Sequence, residues 1–160
     1  MAKCMRLYID GACYHIITRG NRKKDVFWEE EDFRKYLELL GRYKIKYQFR
    51  IYAYCLMKNH VHLIVDPYSA KDISKIMLGI NRAYTYWFNE KYKQVGHLWQ
   101  GRFRSWVIQK DRYLLECIRY IEFNPIRAEL TTAPTEYPWC SYRFHFLGEN
   151  DPLVEMPKFI

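Results

Sequence analysis

His60 and His62 flank Val61 in the run His60-Val61-His62-Leu63-Ile64-Val65, whose composition favours a β-strand. Strand side chains alternate, so both imidazoles point to one face while Val61 and Leu63 point to the other. Two imidazoles arranged in this way can meet one metal ion. Taken alone, the pair also reads as two hydrogen-bonded or exposed histidines. A second constellation lies in Glu116-Cys117-Ile118-Arg119-Tyr120-Ile121-Glu122-Phe123-Asn124-Pro125, a helical pattern. At about 100° per residue, its apolar stripe centres on Leu114, and Tyr120 and Asn124, one turn apart, share the rim of that stripe. If this helix lies on the sheet face that bears the histidines, a phenol and a carboxamide oxygen approach the imidazoles. Pro125 has no amide hydrogen and disfavours helix at the residue before it, so the helix is expected to end at Asn124 and leave its carboxamide room to turn. With 15 tyrosines in the chain, Tyr120 by itself also reads as a rim aromatic covering the core.

These residues need a scaffold, and periodicity along the chain supplies one. Tyr14-His15-Ile16-Ile17-Thr18 predicts a first strand, ended by the turn signal Arg19-Gly20-Asn21. Glu29-Glu30-Glu31-Asp32 provides the acidic first turn that a helix dipole favours, followed by Phe33, Tyr36, Leu37 and Leu40 at helical spacing. Phe49, Ile51, Ala53 and Cys55 alternate along a second strand, Met57-Lys58-Asn59 turns the chain, and the histidine strand completes a hairpin. Ile73, Ile76, Met77, Ile80, Ala83, Tyr84 and Trp87 predict a long second helix, Phe103 to Ile108 a fourth strand, and Asp111 the cap of a third helix. The order βαββαβ plus a helix predicts an α+β protein: a ferredoxin-like split βαβ with an antiparallel sheet and helices on one face. The Thr/Pro-rich stretch 131–138 divides a main body, residues 1–130, from a C-terminal extension, residues 131–160.

Composition narrows the classes. The chain has 160 residues, 49% apolar and 18% aromatic, enough for one well-packed core and too bulky for a disordered chain. No apolar run nears the roughly 20 residues of a membrane span, and residues 1–16 lack the features of a secretory signal, so a cytoplasmic protein without membrane contact is expected. Cys4, Cys13, Cys55, Cys117 and Cys140 show no CxxC spacing; reduced, mostly buried thiols are expected. The formal charge is +8, with 24 basic and 13 acidic residues up to position 127 and 2 basic against 5 acidic after it. A basic body of this kind suits a polyanion without naming it.

Four runs carry a resemblance. His15-Ile16-Ile17-Thr18-Arg19-Gly20-Asn21-Arg22, Met57-Lys58-Asn59-His60-Val61-His62-Leu63, Gly96-His97-Leu98-Trp99-Gln100-Gly101-Arg102-Phe103 and Arg119-Tyr120-Ile121-Glu122-Phe123-Asn124-Pro125-Ile126-Arg127-Ala128 are similar to those of the REP-associated tyrosine transposases. These are single-domain relatives of the HUH single-strand transposases. The runs occur in the family's order from about residue 8 to 130, with Ser141-Tyr142-Arg143 after them. The resemblance implies a histidine-hydrophobic-histidine metal motif at His60, Val61 and His62, a catalytic Tyr120, and a polar metal ligand at Asn124, where insertion-sequence relatives usually carry Gln. It also implies a divalent ion, Mg²⁺ or Mn²⁺, and single-stranded DNA hairpins of repetitive extragenic palindromes as partners. The chain would act as a monomer or a homodimer. The activity implied is that of an endonuclease and strand transferase working through a 5′-phosphotyrosine.

Arg19, Arg22, Lys23 and Lys24 after the first strand, with Arg102 and Arg104 entering the fourth, are the expected phosphate contacts, and Trp99 or Phe103 the expected platform for an unpaired base. Each of the basic residues also reads singly as part of a solvated charged face. His15, His97 and His145 are expected outside the metal site. Two other readings of the residues remain: a non-catalytic RRM-like module binding single-stranded nucleic acid, which lacks the stacking signature on its third strand, and a hydrolytic metallonuclease that leaves no protein on DNA.

Overall fold

A computed structural model describes residues 5–158, so Cys4 lies outside the described residues. Four strands, β1 (Cys13–Arg19), β2 (Arg50–Met57), β3 (His60–Asp66) and β4 (Arg104–Ile108), form one antiparallel sheet in the order β2-β3-β1-β4. Helix α1 (Glu30–Tyr47) joins β1 to β2, and α2 (Asp72–Tyr92) joins β3 to β4. This is the α+β, ferredoxin-like arrangement that the element order predicts.

Alternation explains how the sheet divides its faces. Tyr14, Ile16, Val61, Leu63 and Val65 turn toward α1 and α2 and share one core with Tyr36, Leu40, Ile73, Ile80 and Tyr84. The α1 end of that core is tied down by Asp32. It closes a reciprocal cap with Glu29 and also accepts from Trp28 N (2.7 Å), Tyr92 Oη (2.6 Å) and Lys91 Nζ (2.9 Å). The opposite face carries Cys13 and Ile64 together with Tyr52, Ala53 and Ile108. It is covered by α3 (Arg112–Glu122) through Leu114, Ile118 and Ile121. The two helices of the split βαβ unit thus share one face and α3 takes the other, the one to which His60 and His62 belong.

Asp111 caps α3, its Oδ1 accepting from Tyr113 N at 2.8 Å. The far end departs from the expected boundary. The helix stops at Glu122, not Asn124, and a separate one-turn helix, α4 (Asn124–Arg127), begins at Asn124. Pro125 accounts for the restart: its missing N–H costs nothing in a first helical turn.

The segment after Thr135 runs along the outer edge of β2. Leu56 N donates to Trp139 O (2.8 Å), Ser141 N to Tyr54 O (3.0 Å) and Glu155 N to Ile51 O (3.0 Å), while Val154 enters the main core. Edge groups that would otherwise be open to another chain are satisfied in this way. Beyond β2, α5 (Tyr142–Leu147) brings His145 to the buried Glu122 carboxylate, whose Oε1 also accepts from Ser141 Oγ at 2.6 Å. The end of α3 is therefore held by the last quarter of the chain. Cys13, Cys55, Cys117 and Cys140 are free thiols, three of them buried.

Candidate active site

The histidine face is built in rows across the sheet. Arg104 pairs with Ile17, Ile17 with His62, and His62 with Cys55; in the next row Arg19 pairs with His60 and His60 with Met57. The His60 and His62 rings meet edge to face with centroids 4.9 Å apart. Each is oriented through Nδ1. That of His60 lies 2.6 Å from Asn59 Oδ1, to which it donates, and that of His62 lies 2.9 Å from Nε2 of His15. His15, which alternation on β1 alone leaves as an unremarkable strand position, stacks on His62 (5.2 Å) and reaches toward Trp106 (5.6 Å).

Burial keeps all three imidazoles neutral. It pushes His15 down to about 4. For His60, burial and then the Arg19 charge bring the value to about 4. For His62, burial and then the neighbouring His60 and His15 rings and the Arg127 and Arg19 charges, which would repel a second positive charge, bring it to about 2. Neutral imidazoles hydrogen-bonded through Nδ1 are in the form that binds metals through Nε2.

α3, which covers this face, carries Tyr120, and α4 carries Asn124; Arg127 lies over the Tyr120 ring, bonds to Asn124 and stands near enough to His62 for its charge to be felt there. The Tyr120 ring is 56% exposed, so its hydroxyl is open to an incoming strand. Asn124 is half-buried; its Oδ1 accepts from Arg127 Nη2 (3.1 Å), while its Nδ2 is buried with no hydrogen-bond partner. A buried amide nitrogen left without a partner marks a carboxamide that could turn and offer its oxygen to a cation. Two imidazoles and a carboxamide therefore fit a divalent ion. No cluster of three or more His, Cys, Asp or Glu suited to a metal occurs among the described residues, so a ligand set here needs the amide.

The basic residues separate into three locations. Arg19 and Arg104 stand on the histidine face itself. Arg22, Lys23 and Lys24 are exposed on a tight turn that docks on the β2–β3 turn: Gly20 N donates to Asn59 O (2.8 Å) and Asn59 Nδ2 to Lys23 O (3.2 Å). The turn is close-set. A Cβ at Gly20 would lie 2.2 Å from Lys24 O, and Arg22 and Lys23 adopt left-handed φ of 55° and 58°, a strain of about 1–3 kcal/mol each. Arg102 is not brought to this site. It lines a cavity of about 780 Å³ between α2 and the loop before β4, together with Arg6 and Arg82.

The expected base platforms also differ. Trp99 and Phe103 are more than nine-tenths buried, with Trp99 against Tyr36 and Tyr84, and Phe103 beneath the Arg6 guanidinium (3.5 Å). Tertiary packing claims them. The exposed aromatic on the histidine side of the sheet is Trp106, which alternation within the short strand β4 could have indicated. His97 is exposed on the cavity rim, and His145 is committed to Glu122.

A REP-associated tyrosine transposase from Haemophilus influenzae is 26% identical over 117 residues, 66% of this chain and 66% of its own length, so the chain spans just under two thirds of that relative. A solved structure of a REP-associated tyrosine transposase bound to a REP hairpin superposes with a TM-score of 0.77. At 18% identity it covers 97% of this chain and 98% of its own, and it shares the fold. The family model described as "Transposase IS200 like" matches residues 9–124, a span that contains His60, His62, Tyr120 and Asn124. With nearly three quarters of its length inside that match, the chain belongs to the IS200-like transposases.

Proposed function

We propose that this protein is a metal-dependent single-strand DNA endonuclease and strand transferase that acts on hairpin DNA through a 5′-phosphotyrosine on Tyr120. The observation that carries the reading is that α3 covers the sheet face bearing His60 and His62, and that Arg127 contacts both the exposed Tyr120 ring and the half-buried Asn124 carboxamide while its charge reaches His62. His60, His62 and Asn124 would hold Mg²⁺ or Mn²⁺, which when bound supplies charge neutralisation and alignment for a scissile phosphate. The remaining work falls to the chain. The Tyr120 hydroxyl attacks phosphorus, the P–O3′ bond breaks, and a free 3′-OH departs. One phosphodiester replaces another, so a second 3′-OH can reverse the step and join strands without ATP. Arg19 and Arg104 flank the histidines from β1 and β4 and, with Arg22, Lys23 and Lys24, suit the DNA backbone. Residues 1–130 make up the catalytic unit in this reading, and residues 131–160 brace its β2 edge.

Binding of a REP-type hairpin, named for the solved relative, extends to this chain as part of the proposal. An RRM-like module would need an open sheet face for its bases, and α3 covers that face here. Incubation with a single-stranded hairpin oligonucleotide and Mn²⁺, followed by a denaturing gel, tests the reading. A protein band shifted by covalently attached DNA is expected. Cleavage without an attached band would instead identify a hydrolytic nuclease, and neither product would point to a binding module.

The position of the basic turn leads to a second expectation. Arg22→Glu with Lys23→Glu should weaken hairpin binding and flatten its salt dependence, each lost phosphate contact reducing the slope of log K against log salt by about 0.7–0.9. Titration by fluorescence anisotropy at several salt concentrations measures this. An unchanged slope would remove the turn from the interface.

A further inference from the structure

Arg127 occupies the centre of the candidate site without a role in the mechanism so far. Its guanidinium lies 4.2 Å over the Tyr120 ring, and its Nη2 donates to the Tyr120 carbonyl and to Asn124 Oδ1 (3.1 Å). It also stands near enough to His62 for its charge to be felt there. Arg127 is exposed, forms no ion pair among the described residues, and leaves Nε and Nη1 without hydrogen-bond partners. A guanidinium has five N–H donors in a fork that matches phosphate. An uncompensated cation, stacked on one face of a phenol with most of its donors free, is a site prepared for an anion. The nearest anion the proposed reaction brings is the scissile phosphate.

We infer that Arg127 is a further catalytic residue, which steadies the Tyr120 ring and donates from its free N–H groups to a non-bridging oxygen of the phosphate under attack. This rests on the strand-transfer reading above. As Tyr120 Oη bonds to phosphorus and the P–O3′ bond breaks, the phenolic proton passes through solvent to the departing O3′. Negative charge accumulates on the non-bridging oxygens, where the guanidinium meets it. One-turn α4 makes this reach possible. Restarting the helix at Asn124 returns Arg127 over the preceding turn of α3.

The experiment compares single-turnover adduct formation by the wild type, Arg127→Lys and Arg127→Ala. Two hairpin oligonucleotides are used, one with a normal scissile phosphodiester and one with a neutral methylphosphonate at that position. Melting temperature and hairpin affinity are measured alongside. On the phosphodiester, Arg127→Ala should be slower by about 10²–10³-fold, the usual effect of removing one donor to developing charge, with Arg127→Lys intermediate. On the methylphosphonate, which lacks the charge to be stabilised, the difference between wild type and Arg127→Ala should shrink to a few-fold. Melting temperature and hairpin affinity should hold. An equal loss on both substrates, or a loss matched by a fall in melting temperature or affinity, would make Arg127 structural and overturn the inference, as would a full rate in Arg127→Ala. Failure of the wild type to form an adduct with the phosphodiester would instead defeat the strand-transfer reading itself.

Discussion

Tyr120→Phe should abolish the covalent DNA adduct and strand transfer together, by at least about 10⁴-fold, while hairpin affinity stays within a few-fold of wild type. The substitution removes one oxygen. The Tyr120 ring is 56% exposed and its hydroxyl has no protein partner among the described hydrogen bonds, so stability should change by no more than about 0.5 kcal/mol. The cation stacked on the ring keeps a face to rest on, since phenylalanine presents the same ring to Arg127. A structural role for Tyr120 and a chemical one therefore separate cleanly in this variant. Adduct appears on a denaturing gel, affinity in an anisotropy titration, and folding in a thermal melt. Persistence of the adduct would move the nucleophile to another tyrosine, and Tyr113, 57% exposed on the same helix, is the first to examine. Cleavage without an adduct would show water as the attacking group.

His62→Ala should reduce adduct formation by at least about 10²-fold and weaken Mn²⁺ binding to the protein, leaving hairpin affinity nearly intact. The direction follows from its surroundings. His62 is buried, neutral and held through Nδ1 by His15, so its other nitrogen is the one free to bind a cation. The basic residues proposed to meet the DNA backbone are exposed, and the substitution leaves them in place. Because His62 is buried, alanine also leaves a cavity and an unpaired His15 nitrogen, so a loss of stability is expected alongside the chemical effect. His60→Ala is the complementary variant. Its ring is only half-buried and its partner is the neighbouring Asn59, so it should lose the same activity with less effect on the melting temperature. Calorimetric titration with Mn²⁺, repeated for each variant, separates metal affinity from turnover. Full cleavage by either variant at limiting metal would show that the histidines are not the ligands.

Local pattern carried a definite part of this structure. Period-2 alternation assigned His60 and His62 to one face, and the two-residue turn at Lys58-Asn59 joined their strand to β2. The spacing from Phe33 to Leu40 and from Ile73 to Trp87 marked two amphipathic helices, and Asp111 marked the start of a third. All of these features depend on neighbours within about one turn or one hairpin, where side-chain geometry repeats with a fixed period.

What local pattern could not decide were the meetings between distant segments. Alternation says which side of β1 His15 occupies, but only the register of β1 against β3 sets its ring on His62, and register is a long-range property. Trp99 and Phe103 have the composition of exposed stacking platforms; burial against Tyr36, Tyr84 and Arg6 is decided by the core they complete. Arg102 and Arg104 are two residues apart, yet the loop carries the first into the α2 cavity while pairing with Ile17 holds the second beside the histidines. Asn124-Pro125 signalled a helix boundary, but not that the chain would restart at once and fold Arg127 back over Tyr120. That position depends on the helix restart and on packing of α3 against β2 and β3, with Glu122 held by Ser141 and His145 from the end of the chain. By itself the sequence determined the four strands and three main helices, their order, and the single face shared by His60 and His62. The tertiary structure decided which of those residues touch, because contact between segments far apart in sequence is set by the packing of the whole sheet and its helices.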